Sequence, residues 1–564
     1  MARINLKNFN LKNIIWVALV LLSIIPATWA LFVPGFYGAS DDLHIAWLFE
    51  FHKAFMMGQI PPRFVPDLSF SFGYPLFNFV FPLPFYIGEF FHLLGLSFVD
   101  SIKAVFFISV PLSGAFMYLL LRQFSGKSLS LIGALVYVYA PYRAVDLYIR
   151  GAIGEIVSFI FLPLIILSLV KIYQAGSFGW IGTGGLALAS LVLSHNITAY
   201  MFFPFVGLLI ILQFFLTSSK KQYFAKVGLM IFLGFLTSIF FWLPALIESD
   251  LVKYDTVFNF VDHFPTFLQL ITPYWGYGAS VPGPGDGMSF FLGGANILIL
   301  IGGFLLFIFK YKEIENQKKV FIVWALSAIA VAIFLMNYRS IIVWNKFPLL
   351  PYFQFPWRFL ILTTFFIPLL LVIFEKLRMK RYLFIILSLI VMLPAMFYFR
   401  PQDFLGRVDE YYLNRYIPHP SVSEEYKKTQ EEYLRLPKDT QMRPNRIYPR
   451  ATSEDPSINE IIVLNDLDAV LKIASDKGTV INYNKYYFPG WVVKIDDKIT
   501  EISPGLPFGQ ITFFVPAGTH NVNVNFEETL FKKTLNAISF SSFLVSLWLV
   551  KNLWIRSKKS GHLS

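Results

Sequence analysis

Apolar runs close to the length of a bilayer-crossing helix recur along this chain, and no other feature constrains its folding as much. They begin near Ile14, Ile102, Leu129, Ile156, Trp180, Ile197, Val227, Phe290, Val320, Phe359, Tyr382 and Leu535. About 20 apolar residues in a helix cross the hydrocarbon core. Inside that core every backbone N–H and C=O must find its partner within the protein, which makes helices the solution for runs of this kind. Roughly twelve transmembrane helices are therefore expected. The composition agrees, since 56% of the 564 residues are apolar, 18% aromatic and only 15% charged. Soluble domains carry far more charge. Arg3, Lys7 and Lys12 precede the first run, which has only a weak small-residue cleavage site, so it is expected to persist as an anchor.

A net charge of +12 would suit nucleic acid, but Lys and Arg sit in short clusters between the apolar runs, where they hold loops to one membrane face. Nucleic acid is therefore not an expected partner; the lipid bilayer is. The sequence has no cysteine, which removes disulfides, zinc-thiolate sites and thiol catalysis. One further apolar stretch, Phe77 to Leu96, is broken by Pro82, Pro84 and Gly88 and holds Glu89 and His92. Counting it as a span would invert everything after it. Treating it as re-entrant or interfacial places Lys220/Lys221/Lys226, Lys310/Lys312/Lys318/Lys319, Lys376/Arg378/Lys380/Arg381 and Lys551/Arg556/Lys558/Lys559 on one side, which the positive-inside rule makes the cytoplasm. Asp41, Asp42, Glu50, Asp67, Glu89, Asp146, Glu155 and Asp255 then gather on the outside. The expectation is a multi-pass protein of the cell (plasma) membrane with both termini cytoplasmic.

Residues 1–400 read as the membrane domain, with 34–101 as its first outer loop; 535–564 read as a last span and a basic tail. Between them, 401–534 is long enough for an extracytoplasmic domain. Its first part is rich in Pro, Tyr, Glu and Arg without a sustained period and reads as irregular or partly helical. From about 460 the runs EIIVLN, VLKIAS, TVINYNKYY, WVVKI, GQITFFV and HNVNVNF alternate or are β-branched, with turns such as DDK and PAG between them. A small β-sandwich is expected there, with Tyr486, Tyr487, Phe488 and Trp491 as core or membrane contact.

Polar groups concentrate in four outer segments. SDDLHIAW and the rest of the first loop carry Asp41, Asp42, His44, Arg63 and Asp67; PYRAVDLYIRGAIGE carries Arg143, Asp146, Arg150 and Glu155; LSHN carries His195; FQFPWRFL carries Arg358. A partly desolvated carboxylate near cations serves as a general base or orients an acceptor hydroxyl, which suits Asp42 and Asp41. Guanidinium groups bind phosphate in a bidentate manner, which suits Arg143, Arg150 and Arg358. Plainer roles compete at each position: a solvated helix start for the paired acids, an ion-pair network for Arg143, Asp146 and Arg150, a hydrogen-bonded turn for His195, and snorkelling for Arg358. No His/Asp/Glu spacing implies a metal cage, and no Gly-rich loop implies a nucleotide.

The runs SDDLHIAW, GQIPPRFVPDLSFSFGYPLFNFVFPLPFY, PYRAVDLYIRGAIGEIVSFIFLPL, LSHNITAYMFF and FQFPWRFL resemble bacterial membrane proteins labelled 6-pyruvoyl-tetrahydropterin-synthase-related, a label that implies no pterin chemistry. YYFPGWVVKIDDKITEI, ITFFVPAGTHNVNVNF and the final span are similar to the C-terminal end of YfhO-type membrane proteins. Both groups resemble the GT-C superfamily of glycosyltransferases. The resemblance implies a GT-C-like polytopic α-helical membrane fold and an inverting transfer from a polyprenyl-phosphate-linked sugar to a glycan, lipid or polymer acceptor of the envelope. It maps the first-loop acid onto Asp42, with Asp41 second, and the FPWRF arginine onto Arg358. A divalent metal ion stays open as a cofactor, since some members use one and others do not. Two other readings remain: a transporter or flippase of a lipid-linked glycan, which would want ionisable residues midway along spans, and a non-catalytic membrane protein whose β-domain binds envelope polymer.

Overall fold

The computed structural model describes residues 11–175, 178–253, 259–375, 377, 381–429, 435–453 and 458–559. Arg3, Lys7, Asp255, Lys376, Arg378 and Lys380 lie outside the described residues. Seven helices among them are long and apolar enough to cross a membrane: Phe98–Leu121, Ile153–Gln174, Asn196–Leu216, Gly294–Glu313, Asn316–Met336, Pro356–Phe374 and Leu530–Lys551. Two bent pairs, Lys127–Val138 with Pro141–Arg150 and Lys220–Thr237 with Ile239–Ile247, raise the number to nine. The shorter apolar helices Ala18–Phe32, Phe178–Ser194 and Leu383–Ala395 take up the remaining runs read from the sequence. The chain is thus a polytopic α-helical membrane protein with a β-domain before its last span.

Phe77 to Leu96 is not a span. Prolines break it into Leu76–Phe79 and Leu83–Leu93. At 11 residues and about 1.5 Å per residue, the longer piece reaches about halfway across a hydrocarbon core. It packs on the helix His44–Met56 through Phe85, whose ring meets those of Phe51 and Phe77.

The β-domain has two antiparallel sheets. β1 (Ala451–Ser453), β4 (Thr479–Tyr486), β8 (Gln510–Val515) and β7 (Ser503–Gly505) form one in that order; β2 (Ile458–Asn465), β3 (Asp468–Ser475), β9 (Gly518–Phe526), β5 (Trp491–Ile495) and β6 (Lys498–Thr500) form the other. Period-two burial along β3, with Ala469, Leu471 and Ile473 inward, meets Ile481, Tyr483, Phe513, Val522 and Val524 in one core. Tyr486, Phe488 and Trp491 are buried. Before the strands lie two short helices, Asp409–Tyr416 and Glu424–Thr429.

The first loop joins the two domains. Phe64 is fully buried in the β-domain core beside Trp491 and Phe526. Ser69, Phe70 and Ser71 all adopt left-handed backbone, and the turn they make places Ser69 Oγ 2.7 Å from Tyr486 Oη and lets Phe72 O accept from Tyr486 N–H at 2.9 Å. Lys53 pairs with Asp67 at 2.8 Å and with Asp466 of the β-domain at 2.7 Å. A strap over residues 399–419 closes the other side. Phe399 O accepts from Trp29 Nε1, Arg407 O accepts from Phe36 N–H, and Asp409 accepts from Phe98 and Val99 N–H at 2.9 and 2.8 Å.

Candidate functional site

The site grows from the break at Ala140-Pro141. Proline cannot continue the preceding ladder, so Lys127–Val138 stops and the chain resumes bent by 48°. Val145–Arg150 then winds as a wider, π-helical turn, a form common where a helix serves a site. Tyr142, Asp146 and Arg150, four residues apart, fall on one face. Gly151 ends the turn at φ +69, where a Cβ would stand 3.1 Å from that of Ala39. That close approach lets the first loop pair with the turn: Ser40 and Asp41 N–H donate to Ile149 and Arg150 O at 3.0 and 2.7 Å.

Glu155, in the first turn of the following span, completes a buried network. Arg150 Nη1 lies 2.7 Å from Asp146 Oδ1 and 2.8 Å from Glu155 Oε2, which also accepts from Tyr142 Oη at 2.8 Å. Arg358 Nε stands 3.4 Å from Glu155 Oε1. Trp357 forms a wall, its ring 5.0 Å from the Arg150 guanidinium and stacked between Phe355 and Phe290. His195 caps the helix from Asn196, its Nδ1 2.7 Å from Thr198 Oγ1, and its ring is within electrostatic reach of Glu155, Arg358, Arg150 and His44. His44 lies beside the backbone of Asp41 and Gly151, and its burial lowers its pKa against the pull of Asp41.

The two neighbouring aspartates part company. Asp42 is buried; its Oδ1 accepts from Tyr416 Oη at 2.5 Å and its Oδ2 lies 3.9 Å from Arg407 Nη1, so the strap holds it. Burial raises its pKa, while Tyr416, Arg415 and Arg407 pull it back. Asp41 is half-buried, its carboxylate accepts no hydrogen bond among the described residues, and it acts electrostatically on His44, Arg150 and Arg358. Its charge is therefore felt by the arginine network, whereas Asp42 is engaged by Arg407 and Arg415 of the strap.

The structure brings together Asp41, His44, Asp146, Arg150, Glu155, His195 and Arg358. Arg143 turns the other way, into the helix packing: Nη2 donates to Ser113 Oγ at 3.0 Å and the guanidinium lies 4.0 Å from the Phe159 ring. Arg63 is elsewhere. It is buried and bound to Glu528 at 2.7 Å, Asn536 Oδ1 at 3.0 Å and Phe240 O at 2.9 Å, tying the first loop to the last span. Sequence reading missed Tyr142, Trp357 and Tyr416; the first two sit inside quoted motifs, whereas nothing near Tyr416 points to a partner 374 residues earlier.

Among the described residues, buried polar atoms without hydrogen-bond partners cluster around Arg150: Asp146 Oδ2, His44 Nδ1 and Trp357 Nε1, together with Glu155 Oε1 and Arg358 Nε, which meet only each other in an ion pair. Native interiors satisfy nearly all such atoms, so this concentration of both donors and acceptors marks a place for a polar ligand or water. A divalent ion fits less well. The carboxylates here already face guanidinium groups. Among the described residues, the acidic and histidine groups that converge within 4.8 Å are Asp67, His419 and Asp466, at the domain junction, and there the Lys53 ammonium already bridges Asp67 and Asp466.

No protein-family model matches the chain, so neither group whose motifs it resembles gains support from that side. An uncharacterised protein of Lactococcus lactis subsp. cremoris (strain MG1363) is 24% identical over 254 residues, which cover 43% of this chain and 41% of that protein. Among solved structures, the arabinofuranosyltransferase AftD from Mycobacteria superposes with a TM-score of 0.43 at 13% identity, over 70% of this chain and 28% of that one. A mutant form of the same enzyme gives 0.45 at 12%, over 70% and 29%. The chain thus spans less than half of each of these proteins. What stands on its own residues is a polytopic helical membrane protein whose first loop, bent helix and FPWRF turn converge on one buried, incompletely paired polar cluster.

Proposed function

We propose that this protein is a GT-C-type membrane glycosyltransferase that moves a sugar from a polyprenyl-phosphate donor to an envelope acceptor on the outer face of the membrane, with inversion at the anomeric carbon. The observation that carries the reading is Asp41: a half-buried carboxylate with no side-chain hydrogen bond among the described residues, within electrostatic reach of Arg150, Arg358 and His44, while its neighbour Asp42 is held by Tyr416. The motif resemblance supplies the reaction class.

In this reading the donor phosphate meets Arg358, whose charge Glu155 only partly offsets. The acceptor hydroxyl oxygen attacks the anomeric carbon from the face opposite the phosphate. The new C–O bond forms as the bond to the phosphate oxygen breaks, the electron pair leaves with the lipid phosphate, and the hydroxyl proton passes to Asp41. A single carboxylate base and direct displacement invert the centre. Asp146 and Glu155 hold Arg150 in place, and Trp357, its ring packed between Phe355 and Phe290, offers a sugar an indole N–H that has no partner among the described residues. Asp42 serves the strap. The order of the two aspartates is thereby the reverse of the one their motif suggests.

The test compares lipid-linked sugars and surface polymers in a deletion strain carrying wild-type, Asp41→Asn or Asp42→Asn copies at matched membrane levels. Asp41→Asn is expected to lose the product, on the order of a hundredfold or more in rate, while Asp42→Asn retains most of it. An unchanged product profile with Asp41→Asn overturns the assignment.

A further inference from the structure

The turn before Arg358 is bent in a way most residues avoid. Gln354 has φ +68 and ψ −50, the centre of a classic γ-turn, which is rare and strained. The hydrogen bond of such a turn is present, with Phe355 N–H donating to Phe353 O at 2.8 Å. A side-chain-bearing residue persists there only where its surroundings hold it, and such residues gather at functional sites. Glycine would relieve the strain, yet the sequence places glutamine.

What the turn achieves is visible at the guanidinium. Arg358 Nη1 donates to Phe353 O at 3.1 Å and to Gln354 Oε1 at 2.5 Å. Two acceptors from consecutive residues reach one nitrogen because the chain reverses at Gln354. The Phe355 ring lies 5.3 Å from the guanidinium carbon and the Trp357 ring 5.9 Å. Nη1 is thereby engaged by neutral oxygens, Nε is ion-paired with Glu155 Oε1 at 3.4 Å, and Nη2 makes no hydrogen bond among the described residues.

We infer that Gln354 is a positioning residue: its strained turn and amide oxygen fix the Arg358 guanidinium plane so that, with Nε held against Glu155, Nη2 stays uncommitted and presented to the donor phosphate. The inference rests on the reading of Arg358 given above. The neutral amide matters. A carboxylate at 354 would be a second one beside Glu155 and would outweigh the charge that phosphate needs, whereas an alanine would leave Nη1 one acceptor short and the plane free to rotate.

The test uses the full-length protein in lipid nanodiscs and undecaprenyl phosphate as the probe, with binding read by quenching of tryptophan emission and thermal midpoints measured in parallel. Wild type is expected to bind and Arg358→Ala to lose binding. Gln354→Ala should weaken it roughly tenfold, and Gln354→Glu should weaken it further. Gln354→Gly relieves the backbone but lacks the amide, so it should bind as weakly as Gln354→Ala while melting at or above the wild-type midpoint, which a merely structural role would not produce. Wild-type affinity in the three Gln354 variants, with binding lost in Arg358→Ala, overturns the inference and leaves the site reading intact. A wild-type protein that does not bind, or an Arg358→Ala variant that binds equally well, overturns the site reading itself.

Discussion

At the scale of single residues, the most telling contrast is between side chains one position apart. Asp41 and Asp42 are equivalent in composition and motif, and what separates them is which way the loop turns as it pairs with Ile149 and Arg150. The same logic governs Glu50, fully buried beside Asp67 with Oε1 unpartnered among the described residues. Burial first, and the Asp67 charge second, raise its pKa well above the ordinary carboxylate value. The native state therefore holds the Glu50 proton more tightly than the unfolded chain, so this group's contribution to stability is present at low pH and is lost as pH rises from the ordinary range through the raised value. Each pH unit of that interval costs about 1.4 kcal/mol. Glu50→Gln, a neutral isostere, is expected to raise the thermal midpoint at pH 7 to 8 and to flatten its fall between pH 5 and 8. The candidate site was legible as residue types: seven of its members lie in motifs that stand out in an apolar chain. Direction was not legible. Arg143 and Arg150 sit seven residues apart in one motif, yet one packs on Phe159 and the other on Trp357, because the bend at Pro141 and the wide turn after it set the phase of the helix.

At the scale of elements, hydrophobic length made the spans readable, and the two kinked runs were read as single helices because a bend leaves no mark on hydropathy. The long strands β2 to β5, β8 and β9 showed their alternation; the three-residue strands β1, β6 and β7 are too short to carry a period. The strap over 399–419 was unreadable, since its contacts are made by backbone and by single side chains. Asp409 is its anchor, supplying both carboxylate oxygens to the first two N–H groups of the span from Phe98, where a negative charge also meets the positive end of the helix dipole. Asp409→Ala is expected to cost about 1 kcal/mol at that helix end. Hydrogen–deuterium exchange checks it: protection at Phe98 and Val99 should fall while that at the centre of the span stays unchanged.

At the scale of the whole molecule, the charge ledger argues for an orientation with the β-domain outside and the basic loops inside. The cysteine-free sequence makes this simple to test. A membrane-impermeant maleimide applied to intact cells is expected to label Lys498→Cys, on an exposed strand edge of the β-domain, and to leave Lys312→Cys unlabelled until the membrane is permeabilised. The reverse pattern would place the candidate site on the cytoplasmic side and remove the outer-face reaction.

Arg63 carries a consequence for how such a chain is made. Its counter-charge Glu528 lies 465 residues later in the sequence and Asn536 lies 473 later. A ribosome delivers the arginine to the membrane early and its partners almost last, so through most of synthesis a guanidinium destined for a dry interior has no carboxylate to meet. Removing one partner of a buried pair is strongly destabilising, so the first loop is expected to settle only once the last span is in place. A chain cut short before Glu528 retains every residue of the arginine cluster but leaves Arg63 without its counter-charge, and it is expected to be degraded faster than the full-length protein, which a pulse–chase of the two checks.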